Sequence, residues 1–207
     1  RIAKLSKNEI GFQKIESINN SKGEKLSFNE DGTILEITLN KPLKSGKSIK
    51  LKVNFNAQVP VQIRRTGRYN KENVAYSMTQ WYPKMCEYDK HGWHTNPYIG
   101  REFYGVWGDF EVNIAIDSSF VLGGTGVVQN PQEVGHGYQD PNKKLKLNSS
   151  KKLVWEFKAE NVHDFAWAAD PDFLHETTKL ENGTILHFLH KDDSLNDNWT
   201  ALRPYAK

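Results

Sequence analysis

His175-Glu176-Thr177-Thr178-Lys179 falls one residue short of H-E-x-x-H. In that motif two histidines on one helix face grip a zinc ion, and the glutamate between them acts as general base. The fifth position here is a lysine, whose ammonium group has only donors and cannot ligate a metal until it loses a proton. Asp170-Pro171-Asp172 precedes the stretch and Glu181-Asn182-Gly183-Thr184 follows it. Both are turn signals, so the segment is too short for a long helix and reads as a coincidence.

The remaining candidates for chemistry are equally incomplete. His91 and His94 lie close to Glu87 and Asp89, but Gly92 and Asn96-Pro97 oppose a helix and no third ligand is specified. His187 and His190 are also three apart, a spacing that a strand places on opposite faces. His163-Asp164 could belong to a nucleophilic triad, yet no G-x-S-x-G elbow supplies a serine, and a buried hydrogen-bonded pair is expected. Asp109 and Glu111 are near one another in sequence, but a glycosidase needs two carboxyl groups that converge in space. Cys86 is the single cysteine, which excludes an internal disulfide and a cysteine zinc cage. The residues read this way provide no catalytic and no metal-binding set.

Composition narrows the classes further. The chain has 207 residues, 37% hydrophobic and 26% charged, with a mean hydropathy of −0.70. That length can bury a sizeable core. Basic residues number 28 and acidic residues 25, and no basic stripe interleaves with aromatics, so nucleic acid is not an expected partner. No apolar run approaches a membrane span. Aromatics are abundant at 12%, including six Trp and eight Tyr.

The elements that must position these side chains are strands. Leu35, Ile37 and Leu39 alternate with polar residues, as do Leu51, Val53 and Phe55, then Phe110, Val112, Ile114 and Ile116, and again Leu153, Trp155 and Phe157. Period two with one polar face predicts antiparallel sheets, each buried on one side. Glu30-Asp31-Gly32 and Lys44-Ser45-Gly46-Lys47 supply turns, and 184–189 reads as a further strand. The fold class is all-β, an antiparallel β-sandwich or saddle-shaped two-sheet domain, in a single domain over residues 1–207. Residues 80–109 interrupt the rhythm with Trp, Tyr, Gly, Pro and His, and read as a long ordered loop region, where function tends to sit.

Three segments together resemble one family. They are Thr79-Gln80-Trp81-Tyr82-Pro83-Lys84-Met85-Cys86-Glu87-Tyr88-Asp89 with Gly92-Trp93-His94; Pro97-Tyr98-Ile99-Gly100-Arg101-Glu102-Phe103-Tyr104-Gly105 continuing to Gly108-Asp109-Phe110-Glu111-Val112; and Ala159-Glu160-Asn161-Val162-His163-Asp164-Phe165-Ala166-Trp167-Ala168-Ala169-Asp170. In order and spacing they are similar to the N-terminal domain of M1-family zinc aminopeptidases, of the Bacteroidetes type. The resemblance spans residues 10–207 and is strongest over 79–170.

That resemblance implies a non-catalytic, saddle-shaped β domain packed on a thermolysin-like catalytic domain. It implies a zinc ion in that domain and none in this chain, since the family's own H-E-x-x-H and G-x-M-E-N motifs lie in the domain that follows. On this reading the chain is clipped at both ends relative to the family. The resemblance further implies an aminopeptidase parent, a peptide N-terminus as substrate, and a periplasmic or secreted location. It assigns the substrate-binding loop to Thr79-Gln80-Trp81-Tyr82-Pro83, whose counterpart holds the free α-amino group through a Gln or Glu. Many relatives read Thr-Gln-x-Glu there. Tyr82 replaces that glutamate, which leaves Gln80 as the better anchor.

Two other classes fit the residues. Trp81, Trp93, Trp107 and Trp199 in loops could stack on sugar rings, making a carbohydrate- or protein-binding sandwich module. A non-catalytic M1-like scaffold is the third.

Overall fold

The computed structural model describes residues 2–96, 104–146, 150–192 and 196–206. Alternating sequence becomes strand throughout. The strands are β1 Phe12–Asn20, β2 Phe28–Asp31, β3 Ile34–Ile37, β4 Leu51–Gln58, β5 Gly67–Arg68, β6 Tyr76–Met78, β7 Tyr88–Asp89 and β8 Gly92–Trp93. They continue with β9 Gly108–Asp117, β10 Val121–Gly124, β11 Val127–Val128, β12 Lys152–Val162, β13 Trp167–Asp170, β14 Phe173–Lys179 and β15 Ile185–Lys191. Helix is confined to short pieces, chiefly α1 Pro131–Val134 and α2 Asn196–Leu202. Among the described residues every strand pair is antiparallel. The fold is all-β, as the alternation predicts.

The chain forms two compact units, Arg1–Pro60 with Lys84–Val106, and Val61–Pro83 with Trp107–Lys207. In the first, β1 pairs with β4 from Phe12↔Gln58 to Asn20↔Leu51, with an irregularity between Ile15 and Ser17. Asn54 Nδ2 donates to Ser17 Oγ at 2.8 Å beside that bulge. Ile49 is exposed and precedes β4, so the alternating run enters the ladder only at Leu51. The β2–β3 hairpin turns at Gly32, whose φ of 59° is the left-handed backbone that glycine adopts freely. Ile18 and Leu26 are this unit's buried side chains.

The second unit contains a four-stranded sheet in the order β10-β13-β6-β5, a three-stranded sheet β11-β12-β9, and the β14–β15 hairpin. β12 buries Leu153, Trp155, Phe157 and Ala159, and exposes Val154, Glu156, Lys158 and Glu160 between them. Its partner β9 sets Ile114 opposite Trp155 and Val112 opposite Phe157. These four inward side chains are the ones the alternation selects. Trp155 and Phe157 join Leu122, Val134, Leu153, Phe165 and Ala169 in one buried cluster, and Val112 and Ile114 pack against it half-buried. Complete burial of an aromatic side chain contributes roughly 1.5–3 kcal/mol by transfer alone.

One ion pair enters this unit's interior. Asp170 is 1% exposed and receives Lys191 Nζ at 2.6 Å, the Ala75 N–H at 2.8 Å and the Asp172 N–H at 2.8 Å. Burial opposes the lysine charge, but the hydrogen bonds and charges of Asp170 and Asp172 outweigh it and raise the Lys191 pKa. The carboxylate ties β13, β15 and the residue before β6 to one point.

Candidate functional site

The loop at 79–83 leaves β6 and is fixed at both ends. Thr66 Oγ1 donates to the Thr79 carbonyl, lies 2.7 Å from Thr79 Oγ1, and accepts the Thr79 N–H at 3.2 Å. On the other side Trp81 Nε1 donates to the Phe165 carbonyl at 3.1 Å. The Tyr82 hydroxyl donates to Asp164 Oδ1 at 2.7 Å. Aromatic edges close around these anchors: Trp81 meets Trp167 at 6.3 Å and Tyr82 meets Phe110 at 5.9 Å, both edge-to-face.

Gln80 sits between the anchored neighbours. Its backbone is left-handed, with φ of 51°, and its side chain is exposed. A non-glycine residue in that region carries a steric cost of about 1–2 kcal/mol. The surrounding anchors hold the turn there. The result is a carboxamide displayed from a rigid base, whose Oε1 can accept from a cationic or neutral N–H donor.

Tyr82 is differently disposed. Its ring is half-buried and its one hydroxyl proton is committed to Asp164. Burial first, and then the Asp164 carboxylate, raise its pKa well above the ordinary phenol value. It therefore stays a neutral donor to that carboxylate and cannot supply the anionic acceptor that a glutamate would. Asp164 Oδ1 also accepts the Phe165 N–H at 2.8 Å. The carboxylate is a joint between the 79–83 loop and the start of β13.

The other sequence candidates scatter. His175 and Glu176 lie on β14, an extended strand, so they point to opposite faces and cannot act as an H-E motif does on a helix. Glu176 faces His190 at 3.3 Å and also meets Arg203. His190 stacks on Trp199 at 5.8 Å, while His187 lies on the other face of β15. His94 Nε2 pairs with Asp89 Oδ2 at 3.0 Å, and Asp89 Oδ1 accepts the His91 N–H. His163 packs edge-on against Trp107. Asp109 accepts the Asn161 N–H and lies with Glu111 on the exposed face of β9, where Glu111 is paired opposite Lys158. Among the described residues no group of three or more His, Cys, Asp or Glu side chains is arranged to hold a metal ion. Among them, too, no helix is long and apolar enough to cross a membrane.

Sequence reasoning missed two relationships. Asp164 is the partner of Tyr82, 82 positions away, and no local signal links them. His175 Nε2 lies 2.9 Å from His187 Nδ1. The hairpin turn could have signalled that contact, because a register centred on residue 182 puts 175 and 187 on the same face. Family models of known proteins give no match to the chain, and a search of curated proteins gives none either.

Proposed function

We propose that this chain is the non-catalytic β portion of an M1-type zinc aminopeptidase, and that its 79–83 loop helps to bind the free amino terminus of a peptide substrate. The observation that carries the reading is the display of Gln80. Thr79 is held by Thr66, Tyr82 is held by Asp164, and the exposed carboxamide stands between them on a left-handed backbone. A fixed acceptor is what recognition of a terminal ammonium requires, through a charge-assisted hydrogen bond to the amide oxygen. The three-segment resemblance supports the same reading and puts the zinc and the general base in the catalytic domain that follows in the family.

Kinetics of the full-length protein test it. An aminoacyl substrate should be hydrolysed and its N-acetylated form should not, with activity dependent on zinc. A full-length protein that hydrolyses neither substrate would overturn the reading.

One observation favours a second reading, a carbohydrate-binding surface. Tyr88 and Trp93 on the β7–β8 hairpin are 61% and 56% exposed, with ring centroids 4.8 Å apart. Exposed rings of this kind stack on sugar faces. Glycan binding that is lost in Trp93→Ala, in a protein without peptidase activity, would select this reading over the first.

A further inference from the structure

The His175 and His187 rings meet on one face of the β14–β15 hairpin. His175 is opposite Leu189 and His187 is opposite Thr177, so the two histidines are diagonal neighbours. His175 Nε2 lies 2.9 Å from His187 Nδ1, and His175 Nδ1 lies 2.9 Å from the His136 carbonyl oxygen. A carbonyl oxygen can only accept, so His175 Nδ1 carries its proton. In the neutral ring His175 Nε2 is then a lone pair. His187 Nδ1 must therefore be the donor between the rings, which leaves the His187 lone pair on Nε2. One backbone carbonyl fixes both tautomers.

The segment that presents this carbonyl is shaped for it. Gly135, His136 and Gly137 have φ of 70°, 49° and 85°, three left-handed residues in succession. A Cβ on Gly137 would stand 2.8 Å from His175 Nδ1. The His136 ring is held in turn: its Nε2 lies 3.0 Å from the Ser118 carbonyl, and the ring stacks on the buried Trp155. Tyr138 covers both histidines of the pair, with centroids 4.1 Å from His175 and 5.1 Å from His187. Its hydroxyl donates to the Leu122 carbonyl at 3.0 Å.

Counting protons shows what the pair tolerates. One proton can be added at His187 Nε2 without breaking any hydrogen bond, and the bond to His175 becomes charge-assisted. A second proton must go to His175 Nε2, which already faces a donor. Two N–H groups would then point at each other across 2.9 Å, between two cationic rings.

We propose that the His175–His187 pair is an acid-sensitive latch across the β14–β15 hairpin, covered by Tyr138 and oriented by the His136 carbonyl, that keeps its inter-ring hydrogen bond with one proton and breaks it when it must take the second. Among the described residues the groups facing the pair are the His136 carbonyl and ring, the Tyr138 ring and the Gly137 backbone, with the exposed Lys179 on the same face of the hairpin, diagonal to His187. Glu176, His190 and Arg203 lie on the other face of the hairpin, and Lys191 is bound to Asp170 and Asp172. No carboxylate is among the groups acting on either ring. Burial holds both histidines below their ordinary value of 6.5, and the charge of His175 lowers His187 further. The folded state thus binds fewer protons than the unfolded state as pH falls through 6.5. The latch's contribution is fully present above that pH and is lost as pH falls through the depressed folded values. The two rings titrate as one unit.

Nitrogen-15 NMR of the histidine rings in the 207-residue chain, with amide hydrogen exchange from about pH 7.5 to 4.5, tests the latch. At the upper end both His175 and His187 should be Nδ1–H tautomers. An Nε2–H tautomer on either ring would overturn the proposal. On acidification, protection in β14 and β15, taken relative to the intrinsic exchange rate at each pH, should fall before that of the β9–β12 ladder, and only as the second proton binds. His187→Asn keeps a donor near the Nδ1 position but cannot titrate. It should retain hairpin protection at neutral pH and move the acid loss of protection to lower pH. Loss of protection at an unchanged pH in this variant, or an equal shift produced by the control His91→Asn, would sink the latch. If His187→Asn fails to fold, the tautomers and exchange order of the parent chain decide the matter alone.

Discussion

Tyr82 and Asp164 join across 82 positions of chain, with the phenol donating to Asp164 Oδ1 at 2.7 Å. The contact turns a loop residue into part of the frame. It also separates two side chains that sequence alone treats as rival anchors. Tyr82 holds the loop, and Gln80 is displayed by it.

Tyr82→Phe should therefore act on stability. It deletes one donor to a part-buried carboxylate and leaves the ring packing against Trp81 and Phe110 in place. The expected cost is about 1–3 kcal/mol, measured as a lower urea midpoint at unchanged slope. A wild-type midpoint would show that Asp164 does not depend on the phenol.

Gln80→Gly should act on function. Glycine accepts the 51° backbone without strain, so the fold should be kept and the midpoint should stay within about 1 kcal/mol of the parent. Under the proposed amine-anchoring role, loss of one charge-assisted hydrogen bond should lower kcat/KM of the full-length protein on an aminoacyl substrate by roughly ten- to a hundred-fold. An unchanged kcat/KM would return Gln80 to a purely structural role.

Asp170→Ala should be among the most damaging single changes in the larger unit. It removes the buried one of the two carboxylates bound to Lys191, together with the acceptor of two backbone N–H groups, and leaves Lys191 only the exposed Asp172. Breaking a buried pair from one side typically costs about 3–5 kcal/mol. Chemical denaturation reads this directly, and a loss below about 1 kcal/mol would mean that water replaces the carboxylate at little cost.

Gly137→Ala should lower stability by about 1–3 kcal/mol through its 85° backbone angle and through the 2.8 Å approach of its Cβ to His175 Nδ1. It should also perturb the His175 ring resonances. Gly183→Ala supplies the comparison, since Gly183 has a similar φ of 88° but no neighbour within 4 Å of the added methyl. Equal losses in both variants would mean that the backbone angle alone is responsible.

The sequence by itself determined the long alternating strands and their buried faces, but not the short strands β5–β8, β10, β11 and β13. Leu153, Trp155 and Phe157 declare a buried side because a pleated strand alternates its side chains whatever lies around it. The turn signals before and after His175-Glu176 made a helix untenable, and with it the zinc motif, for the same local reason. The resemblance singled out Gln80, but its left-handed backbone was not legible in the segment. What only the tertiary structure decided is which distant groups meet. Tyr82 finds Asp164 and Lys191 finds Asp170. The hairpin register could signal that His175 and His187 share a face, but not the His136 carbonyl that orients them. Alternation specifies which face a side chain takes, whereas these contacts depend on the packing of separate segments, which the spacing of nearby residues does not encode.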